Sequence, residues 1–294
     1  MKLAKIEAKT LIQKSKIPSI DYVINPYTGC MLACAYCYAS FSGRLVGESV
    51  KEWGNYVYAK KNAVELVRKE LHKMPDAKRR GTILLSSVTD PYQGLERKLR
   101  ITRGILEALV ETQYPGLVRI LTKSPLVLRD IDLLKCLPHM EVGMTVTTTD
   151  DQVSRWLEVR APSASRRLRA LTELHSSGIS TFAFVGPLLP HFVTSPERLD
   201  EVFRRLALTG VREVYMEHIN LKQYIRERMN PVLARESLAI QEAYVQARTK
   251  GYRHRLDGTI VPLLIKHGLK LRFETVVYHD GFQNLTTTKP SVSA

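Results

Sequence analysis

Six short apolar runs recur along the chain, each followed by a stretch of helical periodicity. That alternation restricts the fold more than any other feature. The runs are DYVIN at 21–25, TILLSSV at 82–88, VRILT at 118–122, EVGMTVTT at 141–148, TFAFVG at 181–186 and REVYMEHI at 212–219. They are nearly continuous rather than alternating, as in strands covered on both faces. Between them, Ala63, Val67 and Leu71 share one helix face, as do Ile105 and Leu109, and then Leu168, Leu171 and Leu174. TSPERLDEVFRRLALTG carries its own boundaries: Ser195 as N-cap, Pro196 at the first helical position and Gly210 beyond the end. NPVLARESLAIQEAYVQARTKG repeats that grammar with Asn230, Pro231 and Gly251.

Strand–helix repetition without a Pro, Gly or Ser linker predicts a single parallel α/β domain. Six units rather than eight favour a partial (β/α)6 TIM-like barrel, with an open doubly wound sheet as the alternative. The reading divides the chain into an N-terminal arm at 1–19 and the barrel at 20–250. A C-terminal helix (IVPLLIKHG) and strand (LKLRFETVV) at 251–283 pack on it, and a mobile tail occupies 284–294. The 294 residues suffice for one large core.

No apolar run reaches membrane-spanning length, and the basic N-terminus MKLAKIEAKTLIQKSK lacks the apolar segment of a secretory signal. A cytoplasmic protein is expected. Lys and Arg number 44 against 29 Asp and Glu, a net charge of +15. Much of it falls in clusters: Lys78 to Arg80; Arg166, Arg167 and Arg169; Arg226 and Arg228; and Arg253 to Arg255. Among partners such a balance favours polyanions, DNA or RNA first, and a solvated basic surface with no dedicated partner stands beside that reading as an equal alternative.

Three of the four cysteines, Cys30, Cys34 and Cys37, fall within TGCMLACAYCYA, directly after the first strand. That loop opens on the C-terminal face of a parallel barrel, where sites are built. Structural zinc wants four closed ligands. Cys136 lies in the helix-like IDLLKCLPHM, and neither His139 nor His191 has a spacing that calls for zinc. An electron-transfer cluster is normally held by four thiolates. A thioredoxin-like CxxC needs neither Cys30 nor a barrel. Three thiolates fit a 4Fe-4S cluster held at three corners, with one iron open to the amino and carboxylate groups of S-adenosylmethionine (SAM). Once reduced, such a cluster breaks a carbon–sulfur bond, chemistry that the cofactor carries and the protein aims.

CX3CX2C with Tyr36 before the last cysteine resembles the hallmark of the radical SAM enzymes. With SSVTDPYQGLE, LTKSPLVLRDIDLL and VTTTDDQVSRWLEVRAPSASRRLRALTELHSSGI, the chain resembles the spore photoproduct lyase-like group, often labelled DNA repair photolyase, over about residues 20–220. The resemblance implies that Tyr36 lies against the adenine side of SAM and that Thr89 and Asp90 contact its methionine end. It implies that Lys123 pairs with the SAM carboxylate and that Thr145 supplies a hydroxyl near the ribose or carboxylate. It pairs Glu158 with Arg167, here expected at the rim. Plainer readings stand beside these: Thr89-Asp90-Pro91 as a turn, Lys123 as a solvated strand end, Glu158 with Arg160 as a surface ion pair. Glu217 and His218, ending the sixth strand, are expected at the same mouth, His218 either as a contact there or as a buried, satisfied histidine.

In the lyase, a tyrosine after the third cysteine joins a radical relay with a cysteine. Tyr38 matches that tyrosine, but Ser87 stands at the cysteine's place. An O–H bond is stronger than an S–H bond, so Ser87 is a poor hydrogen donor to a carbon radical and the lyase reaction itself is not expected. The expectation is one 4Fe-4S cluster per chain, reductive cleavage of SAM to a 5′-deoxyadenosyl radical, and hydrogen abstraction from a substrate. Nucleic acid leads as substrate, with a peptide or protein as alternative. A flavodoxin- or ferredoxin-like reductase is expected to supply the electron. A non-catalytic iron–sulfur electron-transfer or sensing protein, and a zinc-stabilised nucleic-acid binder, are the competing classes.

Overall fold

The computed structural model describes residues 1–279. Its strands in chain order are β1 (Lys2–Ile6), β2 (Ile12–Lys14), β3 (Tyr22–Ile24), β4 (Tyr27–Thr28), β5 (Tyr56–Lys60), β6 (Ile83–Leu85), β7 (Val118–Thr122), β8 (Met140–Thr145), β9 (Ser180–Leu188), β10 (Glu213–His218) and β11 (Lys270–Leu271). Eight form one sheet in the order β11-β10-β9-β8-β7-β6-β3-β2. From β3 to β10 the neighbours are parallel. These are the six strands the sequence predicts. The antiparallel β2 covers one edge and the parallel β11 the other. The two ends of the sheet do not meet, so the fold is a partial TIM-like barrel.

Strand register separates the two faces. Residues paired across a ladder share a face, so Leu84, Arg119 and Glu141 form one inner row, Leu121, Gly143 and Phe182 the next, and Thr145, Phe184 and Tyr215 a third. The alternate residues Ile83, Leu85, Val118 and Ile120 pack outward on Ala63, Val67, Leu71, Ile105 and Leu109. Those last five are the residues whose spacing predicts the first two helices. In the other half, Met144, Val185, Val214 and Met216 pack on Leu168, Leu171, Val202 and Phe203. Each such fully buried side chain contributes about 1.5–3 kcal/mol.

Charged groups fill the N-terminal end of the barrel. Arg119 Nε donates to Glu141 at 2.8 Å. Arg272 grips the same carboxylate at 2.8 and 2.9 Å and reaches Glu213 at 2.6 Å. Phe182 lies alongside, in space that only Gly143 leaves: a Cβ at Gly143 would stand 2.2 Å from the ring. With this end plugged, the C-terminal end remains for a site.

Three expectations need correction. The arm at 1–19 holds two strands, and β1 pairs in parallel with β5 (YVYAK), a strand beyond the six expected. Pro231 does not open a helix but lies inside the Gln223–Leu233 helix. The next starts are set instead by Ser237 and Thr249, which cap Leu238–Gln246 and Lys250–Lys266; Gly251 lies in the first turn of the latter. The predicted strand LKLRFETVV is cut to β11 plus a single bridge from Val277 to Glu217, because Arg272 turns into the barrel and Glu274 adopts φ +59°. The predicted tail at 284–294 lies outside the described residues. Ser195, Pro196 and Gly210 bound the Pro196–Leu208 helix as read.

Candidate active site

The three cysteines follow β4 on one loop. Gly29 turns the chain into it at φ +91°, where a Cβ would stand 2.4 Å from the Tyr56 carbonyl oxygen. Cys30 and Cys34 are buried and Cys37 is half-buried. Backbone ties come from all sides. The Thr89 hydroxyl donates to the Gly29 carbonyl at 2.6 Å, and Gln93 Oε1 accepts from Met31 N at 2.9 Å. Ala35 N donates to Leu157 O at 2.8 Å. From the Gln223–Leu233 helix, Arg228 donates to the carbonyls of Cys34 (3.1 Å) and Cys37 (3.4 Å), and Tyr224 to that of Tyr38 (3.0 Å). Tyr224 and Arg228 stand four apart, hence on one helix face. In the sequence Arg228 belongs to a basic cluster that gives no direction; the Tyr224-x-x-x-Arg228 spacing is the only local signal that the two share a face.

Beneath the loop lies a buried polar group. Glu158 accepts hydrogen bonds from Tyr36 OH, from Arg167 Nη2 and from Ser154 Oγ, the last at 3.1 Å. Arg167 also donates to the carbonyls of Pro162 (2.8 Å) and Thr145 (3.2 Å). Lys123 Nζ stands 3.8 Å from Glu158 and over the Tyr36 ring. Burial opposes the Glu158 charge, but Arg167 and Lys123 outweigh it and hold the carboxyl below its usual range. Burial pushes the Cys34 thiol up to about 12 despite Lys123, and likewise raises Cys37. Burial, then Asp90, raises Cys30. Lys123 is lowered by burial and raised more by Cys34 and Glu158.

The structure thus brings Cys30, Cys34, Cys37, Tyr36, Lys123, Thr145, Glu158 and Arg167 together. Glu158 and Arg167 belong to the floor, not the rim as expected: both side chains are almost wholly buried, because Tyr36 and the loop cover them. Asp90 accepts from Thr122 Oγ1 (2.7 Å), Tyr92 N (2.9 Å) and Lys123 N (2.8 Å), so it fixes the end of β7. Thr89 is likewise engaged with the loop. Tyr38 meets Ser87 at the backbone carbonyl. His218 is not at the mouth. Strand alternation turns Glu217 inward and His218 outward, against the rings of Tyr252 and Tyr278. Glu217 pairs with His279.

These residues fit an iron–sulfur cluster and SAM. Three thiols on one loop at the mouth, two buried and one half-buried, are the donor set that a cluster held at three corners would take. Lys123 and Arg228 supply positive charge beside the thiols. Past the ends of β6 and β8, the Ser86 and Thr147 hydroxyls are buried with no hydrogen-bond partner among the described residues.

A half-barrel with a three-thiol loop at its C-terminal mouth defines the class, and the comparisons agree. Residues 24–192 match the Radical SAM superfamily. The chain belongs to that superfamily and is an enzyme of its class. It is 37% identical over 193 residues to an uncharacterized protein of Methanocaldococcus jannaschii, covering 66% of this chain and 70% of that one. It is 29% identical over 195 residues to a Radical SAM Nalpha-GlyT isomerase of Pseudomonas phage M6, covering 66% of this chain and 38% of that one. Its fold matches spore photoproduct lyase complexed with dinucleoside spore photoproduct at TM-score 0.68 and 16% identity, over 94% of this chain and 82% of that one.

Proposed function

We propose that this enzyme abstracts hydrogen from a nucleic acid, using one 4Fe-4S cluster on Cys30, Cys34 and Cys37 and SAM in the mouth beside it. When bound and reduced, the cluster supplies the electron that cleaves SAM to methionine and a 5′-deoxyadenosyl radical. Lys123 would face the SAM carboxylate as a buried cation, with Tyr36 at the adenine and Thr145, Ser86 and Thr147 offering hydroxyls. Glu158 and Arg167 hold Tyr36 and Lys123 in place. The Tyr36 loop and the plugged lower barrel keep water from the reacting atoms. An external flavodoxin- or ferredoxin-like protein supplies the electron.

One observation carries the reading: three thiols on a single loop at the barrel mouth, flanked by Lys123 and Arg228. The net charge of +15 supports a polyanionic substrate. The dinucleoside spore photoproduct in the lyase that shares the fold supports the nucleic-acid reading. Ser87 argues against the lyase reaction itself. Among the described residues no helix is long and apolar enough to cross a membrane.

The test is electron paramagnetic resonance of anaerobically reconstituted, dithionite-reduced protein with and without SAM, alongside iron analysis of Cys34→Ala. A reduced-cluster signal that shifts with SAM, about four irons per chain and loss of iron in the variant are expected. A signal indifferent to SAM would make the protein an electron carrier. SAM cleavage stimulated by a peptide pool and not by DNA or RNA would move the substrate to peptides.

A further inference from the structure

Directly after the third cysteine the chain enters a 3-10 helix, Tyr38–Val46. Such a helix has three residues per turn, so residues three apart lie one above another. Ala39, Ser40, Ser42 and Gly43 are buried. The back of the helix rests on Tyr56, whose hydroxyl would stand 2.4 Å from a Cβ at Gly43. The opposite edge carries Tyr38, Phe41 and Arg44. The Tyr38 and Phe41 rings are 6.4 Å apart and tilted by 31°, and the Arg44 guanidinium lies over Phe41 at 5.5 Å. Tyr38 is 40% exposed, Phe41 is half-buried and Arg44 is exposed. The inner end of this row is anchored, since Tyr38 bonds to the Ser87 carbonyl and its own carbonyl accepts from Tyr224.

We propose that Tyr38, Phe41 and Arg44 form a stacking track for unpaired nucleobases, running from solvent to the three-thiol loop. The proposal rests on the nucleic-acid reading and narrows it: the ligand is a single strand or an extruded nucleotide, not an intact duplex. Two aromatic faces and a planar guanidinium at regular spacing match successive bases, whose faces a duplex keeps stacked on one another. Arg44 adds a charge for the phosphate that follows the base, in keeping with the basic balance of the chain. The fixed Tyr38 delivers the innermost base beside the cysteines.

Fluorescence anisotropy of labelled oligonucleotides tests this on the full chain. The probes are a short single strand, an abasic strand of the same length and the corresponding duplex, at fixed salt. The variants are Phe41→Ala, Phe41→Leu, which keeps most of the volume without the ring face, and Arg44→Gln. Thermal melts confirm that they fold. Wild type should prefer the single strand to the other two. Both Phe41 variants should weaken single-strand binding roughly 5- to 150-fold, the range expected for one lost stack, and leave the abasic strand unaffected. Arg44→Gln should weaken single and abasic strands alike and lower the salt dependence. Equal affinity for single and abasic strands, unmoved by either Phe41 variant, would overturn the track and leave nucleic acid as substrate. Full binding by Phe41→Leu would overturn it too, since volume alone would then suffice. No binding of any probe by wild type would remove both readings.

Discussion

The Tyr38 hydroxyl donates to the backbone carbonyl of Ser87, tying the residue after the third cysteine to the chain that leaves β6. The Ser87 side chain is otherwise engaged: its Oγ accepts from Asn25 Nδ2 at 3.3 Å, and Asn25 Oδ1 accepts from Ser87 N at 2.9 Å. The tyrosine therefore meets main chain, not the serine hydroxyl. Tyr38→Phe should lower stability by about 1 kcal/mol in denaturant melts, the typical worth of one such bond. Ser87→Ala loses its own bond from Asn25 and should cost a similar amount, but it leaves the carbonyl and the Tyr38 link in place, so the two costs should add in the double variant. A double variant that costs no more than Tyr38→Phe alone would mean that the serine side chain carries the link.

Arg228 places a half-buried guanidinium against the carbonyls of Cys34 and Cys37. Reduction adds a negative charge to whatever the thiolates hold, and a nearby cation favours that state. Arg228→Gln should lower the midpoint potential of the reconstituted protein, by about 59 mV for a tenfold change in a one-electron couple. Arg228→Lys keeps the charge but loses the fork, so it should shift the potential less while retaining less iron. A redox titration followed by electron paramagnetic resonance reads both. An unmoved potential in Arg228→Gln would reduce the residue to a mechanical tie.

The six central strands were legible because burial on both faces leaves unbroken apolar runs. The sheet beside the cysteines was not. KLAKI at 2–6 is mostly exposed and mixes lysines with apolar residues, and its partner YVYAK lies more than fifty residues on, so no local pattern announces the pairing. YVYAK itself is buried and rich in strand-forming residues; it was hidden only by lying inside the first βα connection. The cysteines, Tyr36 and Lys123 could be found by motif. The resemblance implies the Glu158–Arg167 pair but not its place in the floor. The direction of Arg228 has no such signal: it faces the cysteine loop, though it sits in a cluster that reads as surface charge. Ser86 and Thr147 carry no sequence signal at all, since a buried hydroxyl is recognisable only by its missing partner.

Glu158 balances two cations in the buried floor. Glu158→Gln keeps the shape and removes the charge, leaving Arg167 with neutral partners, the Pro162 and Thr145 carbonyls and the Ser154 hydroxyl. Breaking a buried pair in this way should cost about 3–5 kcal/mol. Chemical denaturation of the metal-free protein measures it without reference to the cofactor. A cost below about 1 kcal/mol would mean that the pair is nearly neutral in net effect, as some exposed pairs are.

His191, whose spacing gave no reason for zinc, sits instead between two rings. It packs edge-on to Trp156 at 4.9 Å, stacks on Tyr244 at 5.7 Å, and its Nδ1 lies 3.2 Å from the Tyr244 hydroxyl. Burial, with Arg198 nearby, pushes its pKa down to about 4. The unfolded histidine titrates near 6.5, so between pH 6.5 and 4 the unfolded chain binds the extra proton. Stability therefore rises with pH across that window and falls on acidification. The loss should reach about 1–2 kcal/mol by pH 4, allowing for partial solvent screening. Most of the slope between pH 6.5 and 5 should vanish in His191→Phe, which keeps a ring in the stack; carboxylates add their own slope only below that. The Phe variant should also be about 1 kcal/mol less stable at neutral pH, because Tyr244 loses its partner. Identical slopes for wild type and His191→Phe in that interval would show that the ring is protonated equally in both states.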